Sequence, residues 1–361
     1  MKRRIICLAA ALCLVFSGCS WLDGNYVSVK PHQTQLTDVQ SGTVSAADYA
    51  ELLAALTRMV DSGTESAVIS VAEYDQNSVE SGMTTAVRYL QKMYPIGAYA
   101  IEKIDYEIGS GGGKPAVSVN ISYIHGRSEI RKIQKAIDMA AAEAKIADAL
   151  EKCDSGVVIL VEQYTDTDIP QFVDDYATLH PDMIMETPQV AVGMYPDAGA
   201  CRVLELSFTY QTSRDALRLM QTQVQPYFAS AQLYVSGDGA DAQKYAQLYA
   251  FLMERYDYKF QTSITPAYSL LCHGVGDCEA FAAVYAAMCS QAGLECRVVS
   301  GTKLGNPWYW NMVCDEGAYY HVDLIQCNAE GRFRVMQEDA MTGYVWDYSA
   351  YEPAETEPNG T

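Results

Sequence analysis

Two stretches of the chain repeat the same residue types at one fixed separation, and this feature limits the possible fold most strongly. Four residues recur 87 positions later, in the pairs Tyr123/Tyr210, Arg127/Arg214, Arg131/Arg218 and Gln134/Gln221. Each stretch begins with an apolar run, continues as a helical segment that ends at a proline, and then alternates in polarity as paired strands do. The pattern predicts a duplicated α+β domain over residues 45–235, with β-α-β-β-α units at about 64–145 and 154–232.

The first residues have the composition of an export signal. Lys2, Arg3 and Arg4 precede an apolar run, Ile5 to Phe16, that is too short to cross a bilayer as a helix. Small residues followed by Cys19 resemble the lipobox of bacterial lipoproteins. That resemblance implies removal of signal peptide 1–18, lipidation of Cys19, and anchoring on the extracellular face of the bacterial cell membrane. An ordinary secretory signal that contains a cysteine is the alternative.

Two terminal segments lack the pattern of a folded element. Residues 19–44 are polar and without a clear period, which predicts a flexible tether between membrane and domain. The last residues, 352–361, are acidic and contain prolines, which predicts a disordered tail.

Charge and cysteine spacing exclude several classes of function. The chain has 45 acidic against 25 basic residues, a net charge of −20, which argues against a nucleic-acid partner because that affinity depends on cationic contacts. Of the 11 cysteines, the eight that follow Cys19 form neither a CxxC pair nor a zinc-type cluster. We therefore expect no metal and no cofactor, mostly buried thiols, and no more than one disulfide.

The chemistry-bearing part of the sequence lies in residues 240–351. Asp277 is a good helix N-cap residue, and Cys278 would then be the first residue of an apolar helix that ends at Gly293. A thiol at the positive end of a helix dipole is expected to have a lowered pKa. Gly276 leaves room for a substrate backbone. Three strands follow, with the sequences CRVVSG, NPWYWNMV and AYYHVDLI, and the last of them carries Asp323.

These elements resemble the transglutaminase-like superfamily, a papain-like cysteine fold. In that family a cysteine opens a helix, a short strand ends in glycine, and later strands carry His-x-Trp-Asn and Tyr-His-x-Asp. Here the matching residues are Cys278, the strand that ends at Gly301, Trp310-Asn311, and Tyr320-His321-Val322-Asp323. The resemblance implies that Cys278 is the nucleophile and that Asp323 orients a histidine general base.

The general base itself is missing from this pattern. The family's histidine falls two residues before Trp310, and that residue is Trp308. An indole cannot accept or shuttle a proton. His321 and His273 are the candidate replacements, His321 because it shares a strand face with Asp323 and His273 because it precedes Cys278 by five residues.

Three functions remain open from the sequence. The favoured hypothesis is a catalytically impaired domain that binds a peptide or cell-wall glycopeptide in a cleft formed by Trp310, Asn311, Tyr309 and Gly276, with Trp308 beside them. The second is an active cysteine peptidase or acyltransferase that uses Cys278 and Asp323 with His321 or His273. The third is a structural lipoprotein whose duplicated half binds the partner.

Overall fold

The computed structural model describes residues 44–235 and 237–351, and it is a mixed α+β structure. Within these ranges it contains three four-stranded sheets and one pair of very short strands. The expected signal peptide 1–18, the lipidation site Cys19, the tether up to residue 43 and the tail 352–361 lie outside the described residues. Among the described helices, none combines the length and the apolar character needed to cross a bilayer.

The first sheet carries three main helices. Its strands are β1 (Val44–Ser45), β2 (Ser66–Ser70), β3 (Ile101–Gly111) and β4 (Lys114–Tyr123). The helices are α1 (Tyr49–Ser62), α2 (Val79–Lys92), α3 (Pro95–Ala100) and the single turn α4 (Arg127–Ile130). The strand order is β1-β2-β4-β3, and only β1 and β2 run parallel. Asp48 caps α1 by accepting a hydrogen bond from the Glu51 amide, and Leu52 and Leu56 of α1 are fully buried.

The second sheet has the same order and the same strand directions. Its strands are β5 (Gln134–Asp138), β6 (Gly156–Gln163), β7 (Gln189–Tyr195) and β8 (Arg202–Thr209). Its helices are α5 (Met139–Glu151), α6 (Ile169–Leu179) and the long α7 (Arg214–Tyr234). The order is β5-β6-β8-β7, and again only the first pair is parallel.

The observed units differ from the predicted β-α-β-β-α order in how they begin and end. The first unit opens with β1 and α1, which precede β2, the strand predicted to come first. In the same way, the second unit opens with β5 and α5, which precede β6. Residues 139–151, whose start was assigned to the first unit, form the crossover helix between parallel strands β5 and β6. The second unit therefore starts at Gln134 and not near residue 154. The two sheets match in topology, and duplication of the sequence stays a prediction.

The third sheet is entirely antiparallel and carries the C-terminal part of the chain. Its strands are β11 (Cys296–Lys303), β12 (Asn306–Asp315), β13 (Ala318–Val322) and β14 (Tyr344–Trp346), in the order β13-β12-β11-β14. The parallel pair β9 (Asp257–Tyr258) and β10 (Val275–Gly276) precedes it. The helices are α8 (Asp241–Met253), α9 (Pro266–His273), α10 (Cys278–Gln291) and α11 (Leu324–Glu330), and two short 3-10 turns lie at Glu338–Ala340 and Tyr348–Ala350.

Helix α10 is the centre of this part of the molecule. All its residues from Ala280 to Cys289 are buried, which is typical of a helix surrounded by other elements and not of an amphipathic surface helix. It packs against strands β11 and β12 on one side and against α8 and α9 on the other. Tyr285 fixes α10 to α8, because its hydroxyl donates to the carbonyl of Tyr245 at 2.9 Å. The first residue of α10 is thereby held in one place.

Helix α7 connects the second sheet to the C-terminal elements. Its residues Leu217, Val224 and Phe228 belong to the same buried cluster as α8, α9 and α10. The boundary predicted between residues 235 and 240 therefore falls between two helices that share one core.

Candidate active site

Cys278 is the first residue of α10, as the sequence predicted. Asp277 has an extended backbone, and its Oδ1 accepts a hydrogen bond from the Ala280 amide at 3.0 Å. This is the geometry of an N-cap, and it confirms that prediction. The thiol therefore lies at the end of the helix where the peptide dipoles place partial positive charge.

Burial has the opposite effect on the thiol from the one expected of the helix dipole. Cys278 is only 7% exposed, and its burial raises the pKa of the thiol above its usual value. Hydrogen bonds from the backbone amides of Tyr309 and of Cys278 itself lower this pKa, while the negative charges of Asp277 and Asp323 raise it. Together these effects raise the pKa of the Cys278 thiol, so the prediction of a lowered pKa is wrong.

Asp323 is a buried carboxylate in which both oxygens accept hydrogen bonds. It is 1% exposed and caps α11, where its Oδ1 accepts from the Gln326 amide at 2.9 Å. Three side chains donate to its Oδ2: Lys303 Nζ at 2.8 Å, Tyr344 Oη at 2.6 Å and Trp308 Nε1 at 2.9 Å. The Lys303 ammonium supplies the positive charge that a buried carboxylate requires.

The structure joins Trp308 directly to Asp323. Trp308 is half-buried on β12, opposite Gly301, and its indole N–H points at the carboxylate. Its ring lies 5.9 Å from the ring of Tyr258, and the Lys303 ammonium lies 4.9 Å from the indole centroid. In a cysteine–histidine–aspartate site, this carboxylate accepts its hydrogen bond from the imidazole. The indole makes the same type of bond but has no acceptor atom to offer to a thiol.

His321 contacts two tryptophans, Trp310 and Trp346. It is 5% exposed, and its Nδ1 accepts a hydrogen bond from Trp310 Nε1 at 3.0 Å. Accepting at Nδ1 requires a neutral ring with its proton on Nε2, which leaves no free acceptor nitrogen. Burial lowers the pKa of His321 and so stabilises this neutral form. Its ring also packs edge-on against Trp346, at 4.9 Å between centroids.

His273 lies on the surface. It is the exposed last residue of α9, and its ring packs edge-on against Tyr268 at 5.0 Å. The His273 ring contacts Tyr268, and the His321 ring contacts Trp310 and Trp346. None of these contacts involves the Cys278 thiol.

Three of the four residues predicted to line the cleft are buried. Trp310 is 1% exposed and packs in a small core with Tyr344 and Trp346, at centroid distances of 5.2 and 5.5 Å. Asn311 is 0% exposed, and its Nδ2 donates to the carbonyl of Ala282 at 2.9 Å. These two side chains hold the sheet together and fix it to α10. Their assignment to an exposed cleft is wrong.

Gly276 is also buried, and packing explains why it is glycine. A methyl group at this position would lie 3.1 Å from the Cβ of Ala280 and 3.1 Å from the Cδ1 of Leu270. The glycine allows β10 to approach α9 and α10, so it serves the protein core and not a substrate backbone. Tyr309 and Trp308 are the predicted aromatic residues that remain half-exposed.

Sequence reasoning missed Lys303 and Tyr344. Lys303 lies in β11, two residues after Gly301, and both residues share the sheet face of Trp308 because side chains alternate along a strand. That alternation is a usable signal for Lys303. Tyr344 comes from β14, whose pairing with β11 depends on a contact between distant segments. Within residues 44–235 and 237–351, the His, Cys, Asp and Glu side chains form no group of three or more that could hold a metal ion.

Comparison with known protein families agrees with the motif. Residues 229–324 match the model of the transglutaminase-like superfamily, a range that includes Cys278, Trp308 and Asp323. The match begins within α7, earlier than the predicted boundary at residue 240. Among curated proteins, none matches the chain.

Three solved structures show a low similarity over part of the chain. A TGase crystal structure is 10% identical, covers 47% of this chain and has a TM-score of 0.27; the chain spans 50% of that protein. A candidate cysteine protease from Cytophaga hutchinsonii is 11% identical over 44% of this chain and 70% of its own, with a TM-score of 0.26. A candidate protease from Parabacteroides distasonis is 11% identical over 46% of this chain and 39% of its own, with a TM-score of 0.23.

Proposed function

Since the chain contains a transglutaminase-like domain, we propose that this domain binds a peptide or cell-wall glycopeptide without turning it over efficiently. The observation that carries the proposal is the hydrogen bond from Trp308 Nε1 to Asp323 Oδ2, at 2.9 Å. This bond fills the position in which an active member of the family would need an imidazole. The carboxylate keeps an orienting role, but it orients a side chain that cannot move a proton.

The state of the thiol supports impaired catalysis. Thiolate is the nucleophilic form, and burial raises the pKa of Cys278. A base close to the thiol would remove this obstacle, and it would also return a proton to the leaving amine. Loss of one member of such a triad typically lowers turnover by about four orders of magnitude or more.

The surface near the thiol supports ligand binding. Tyr258 and Tyr309 are half-buried aromatic residues close to Cys278, and the half-buried Trp308 contacts the ring of Tyr258. Tyr309 donates its backbone amide to Cys278, so a ligand that contacts these rings would lie beside the thiol. Aromatic side chains with a polar edge suit a cleft that is apolar but carries a few directed hydrogen-bonding groups.

The lipobox-like sequence at Cys19 supports attachment to the outer face of a bacterial membrane. On this proposal the tether and the duplicated units hold the binding domain away from the lipid surface, where cell-wall peptides are accessible. Mass spectrometry of the mature protein from its own membranes tests this point. We expect acyl groups on Cys19, and an unmodified N-terminus at another residue would contradict it.

Calorimetric titration with soluble peptidoglycan fragments and unmodified peptides tests the binding function. We expect Trp308→Ala and Tyr309→Ala to weaken binding by on the order of tenfold each, as loss of one aromatic contact does. Tyr348→Ala is the matched control, because Tyr348 is an exposed aromatic residue of the same domain that contacts Trp346 and not the thiol. Ammonia release and peptide cleavage by the wild type that Cys278→Ala abolishes would contradict the proposal.

A further inference from the structure

Two cysteines outside the candidate active site are brought together by the end of helix α10. Cys289 lies in the last turns of α10, and Cys296 is the first residue of β11. Between them the helix ends at Gln291, and Gly293 adopts a left-handed conformation with φ of 76°. That conformation reverses the chain at little cost for glycine, and the Leu294 amide donates back to the Cys289 carbonyl at 2.9 Å. The first strand residue therefore returns beside the last helical turn.

Both cysteines pack into the same apolar cluster. Cys289 is a buried member of that cluster and Cys296 packs against it, and the Cys296 side chain contributes to the raised pKa of the Cys289 thiol. Both are free cysteines. A disulfide requires Cβ atoms that lie close together, and the chain reversal at Gly293 returns Cys296 to the end of the helix that carries Cys289.

The strand register excludes Cys314 as the partner of Cys296. Cys296 pairs with Val313 across β11 and β12, so their side chains share one sheet face. Cys314 follows Val313, and its side chain leaves the strand on the opposite face. Cys278 begins α10 and Cys289 lies in its last turns, and Cys327 donates its thiol to the Arg334 carbonyl at 3.4 Å. Among the cysteines of α10, β11, β12 and α11, Cys289 and Cys296 are the pair that the chain reversal brings to the same end of the helix.

We propose that Cys289 and Cys296 form a disulfide when the protein meets an oxidising small-molecule disulfide. The Cys296 thiolate attacks one sulfur of the reagent, and the other half of the reagent leaves as a thiol. Cys289 then attacks the Cys296 sulfur of the mixed disulfide and releases the second reagent thiol. The protein pair loses two electrons and two protons, and the reagent disulfide gains them as two thiols.

The surroundings of the two sulfurs set the order of these steps. Cys289 is 0% exposed, and its burial raises the pKa of its thiol well above the usual value. Cys296 is partly exposed, so it is the sulfur that a reagent in solution can reach first. The bridge would close a short loop and fix the end of α10 to β11, which are the elements that carry Cys278 and Lys303.

Peptide mapping tests the proposal on the full chain. The protein is incubated with oxidised glutathione, denatured, alkylated with iodoacetamide and cleaved after glutamate. Cleavage after Glu279, Glu295 and Glu316 separates the two cysteines, since Cys289 lies in residues 280–295 and Cys296 in residues 296–316. We expect these two peptides joined by a disulfide, and joined equally in Cys314→Ser, which removes the other cysteine of the second peptide.

Thermal unfolding gives an independent readout. A disulfide that closes so short a loop is expected to raise Tm by about 5–10 °C. The rise should disappear with reductant and be absent in Cys296→Ser, whose half-buried position tolerates the smaller side chain. Two fully alkylated peptides after oxidation, or Cys289 joined to any other cysteine, would overturn the proposal.

Discussion

Removing the Lys303 ammonium should strongly destabilise the C-terminal domain. Its Nζ lies 2.8 Å from the Asp323 Oδ2, and Asp323 is 1% exposed. A buried ion pair that loses one partner typically costs about 3–5 kcal/mol, because the remaining charge is left without compensation. In Lys303→Met, Trp308 and Tyr344 still donate hydrogen bonds to the same oxygen of Asp323. We therefore expect a cost at the lower end of this range. We expect the free energy of unfolding to fall by about 3 kcal/mol.

Lys103 provides a control with the same chemistry and distance. Its Nζ lies 2.8 Å from Asp105, but the two side chains are 66% and 58% exposed. Water and salt screen such a pair, so Lys103→Met should change the free energy of unfolding by no more than about 0.5 kcal/mol. Lys303→Arg keeps the charge and should cost less than half as much as Lys303→Met.

Urea unfolding followed by tryptophan fluorescence measures these differences. Trp308, Trp310 and Trp346 are three of the four tryptophans, so the signal reports mainly on the domain that contains Asp323. The midpoint should shift at constant m-value if stability alone changes. Equal costs for Lys303→Met and Lys103→Met would refute the reasoning that burial makes the first ion pair essential.

Two further substitutions examine the helix cap and the buried histidine. Asp277→Ala removes the acceptor for the Ala280 amide and should lower stability by about 1 kcal/mol, measured in the same urea assay; Asp277→Asn, which retains the acceptor, should cost little. Burial lowers the pKa of His321 in the folded protein. The stability contributed by the neutral imidazole is therefore present above the unfolded pKa of about 6.5, and it is lost as the pH falls through the folded pKa. Unfolding free energies measured from pH 7 to 5 should therefore decline less steeply in His321→Gln than in the wild type, and parallel pH profiles would contradict this role.

The parts of the site that the sequence predicted are those fixed by local interactions. Asp277 and Asp323 each cap the helix that follows them, and an N-cap needs only a side chain and an amide two or three residues away. The motif order then identified Trp308 as the residue in the general-base position. These inferences required no knowledge of how the sheet is paired.

Burial within the sheet could not be predicted in the same way. Trp308 and Trp310 are two residues apart and share one strand face, yet only Trp310 is buried. The difference arises because Trp346, on the edge strand β14, packs against Trp310. That strand pairs with β11 about 45 residues away in sequence, a contact that local patterns do not specify.

The boundary between the two N-terminal units was misplaced for a related reason. Gln134 repeats in Gln221, which lies in helix α7, and the similarity favoured a helix at both positions. Gln134 instead begins β5 because it pairs in parallel with Ile159 of β6. A parallel partner reached through a crossover helix overrides the local pattern.

Turnover by Trp308→His most directly tests the claim that an indole has replaced the general base. Ammonia release from glutamine-bearing peptides should be the same in the wild type and in Cys278→Ala. Trp308→His should gain activity on the order of 10²-fold over that background, because a positioned base contributes at least this much. The gain should vanish in the double variant with Cys278→Ala. Activity in the wild type that depends on Cys278 and is not increased by Trp308→His would contradict the account.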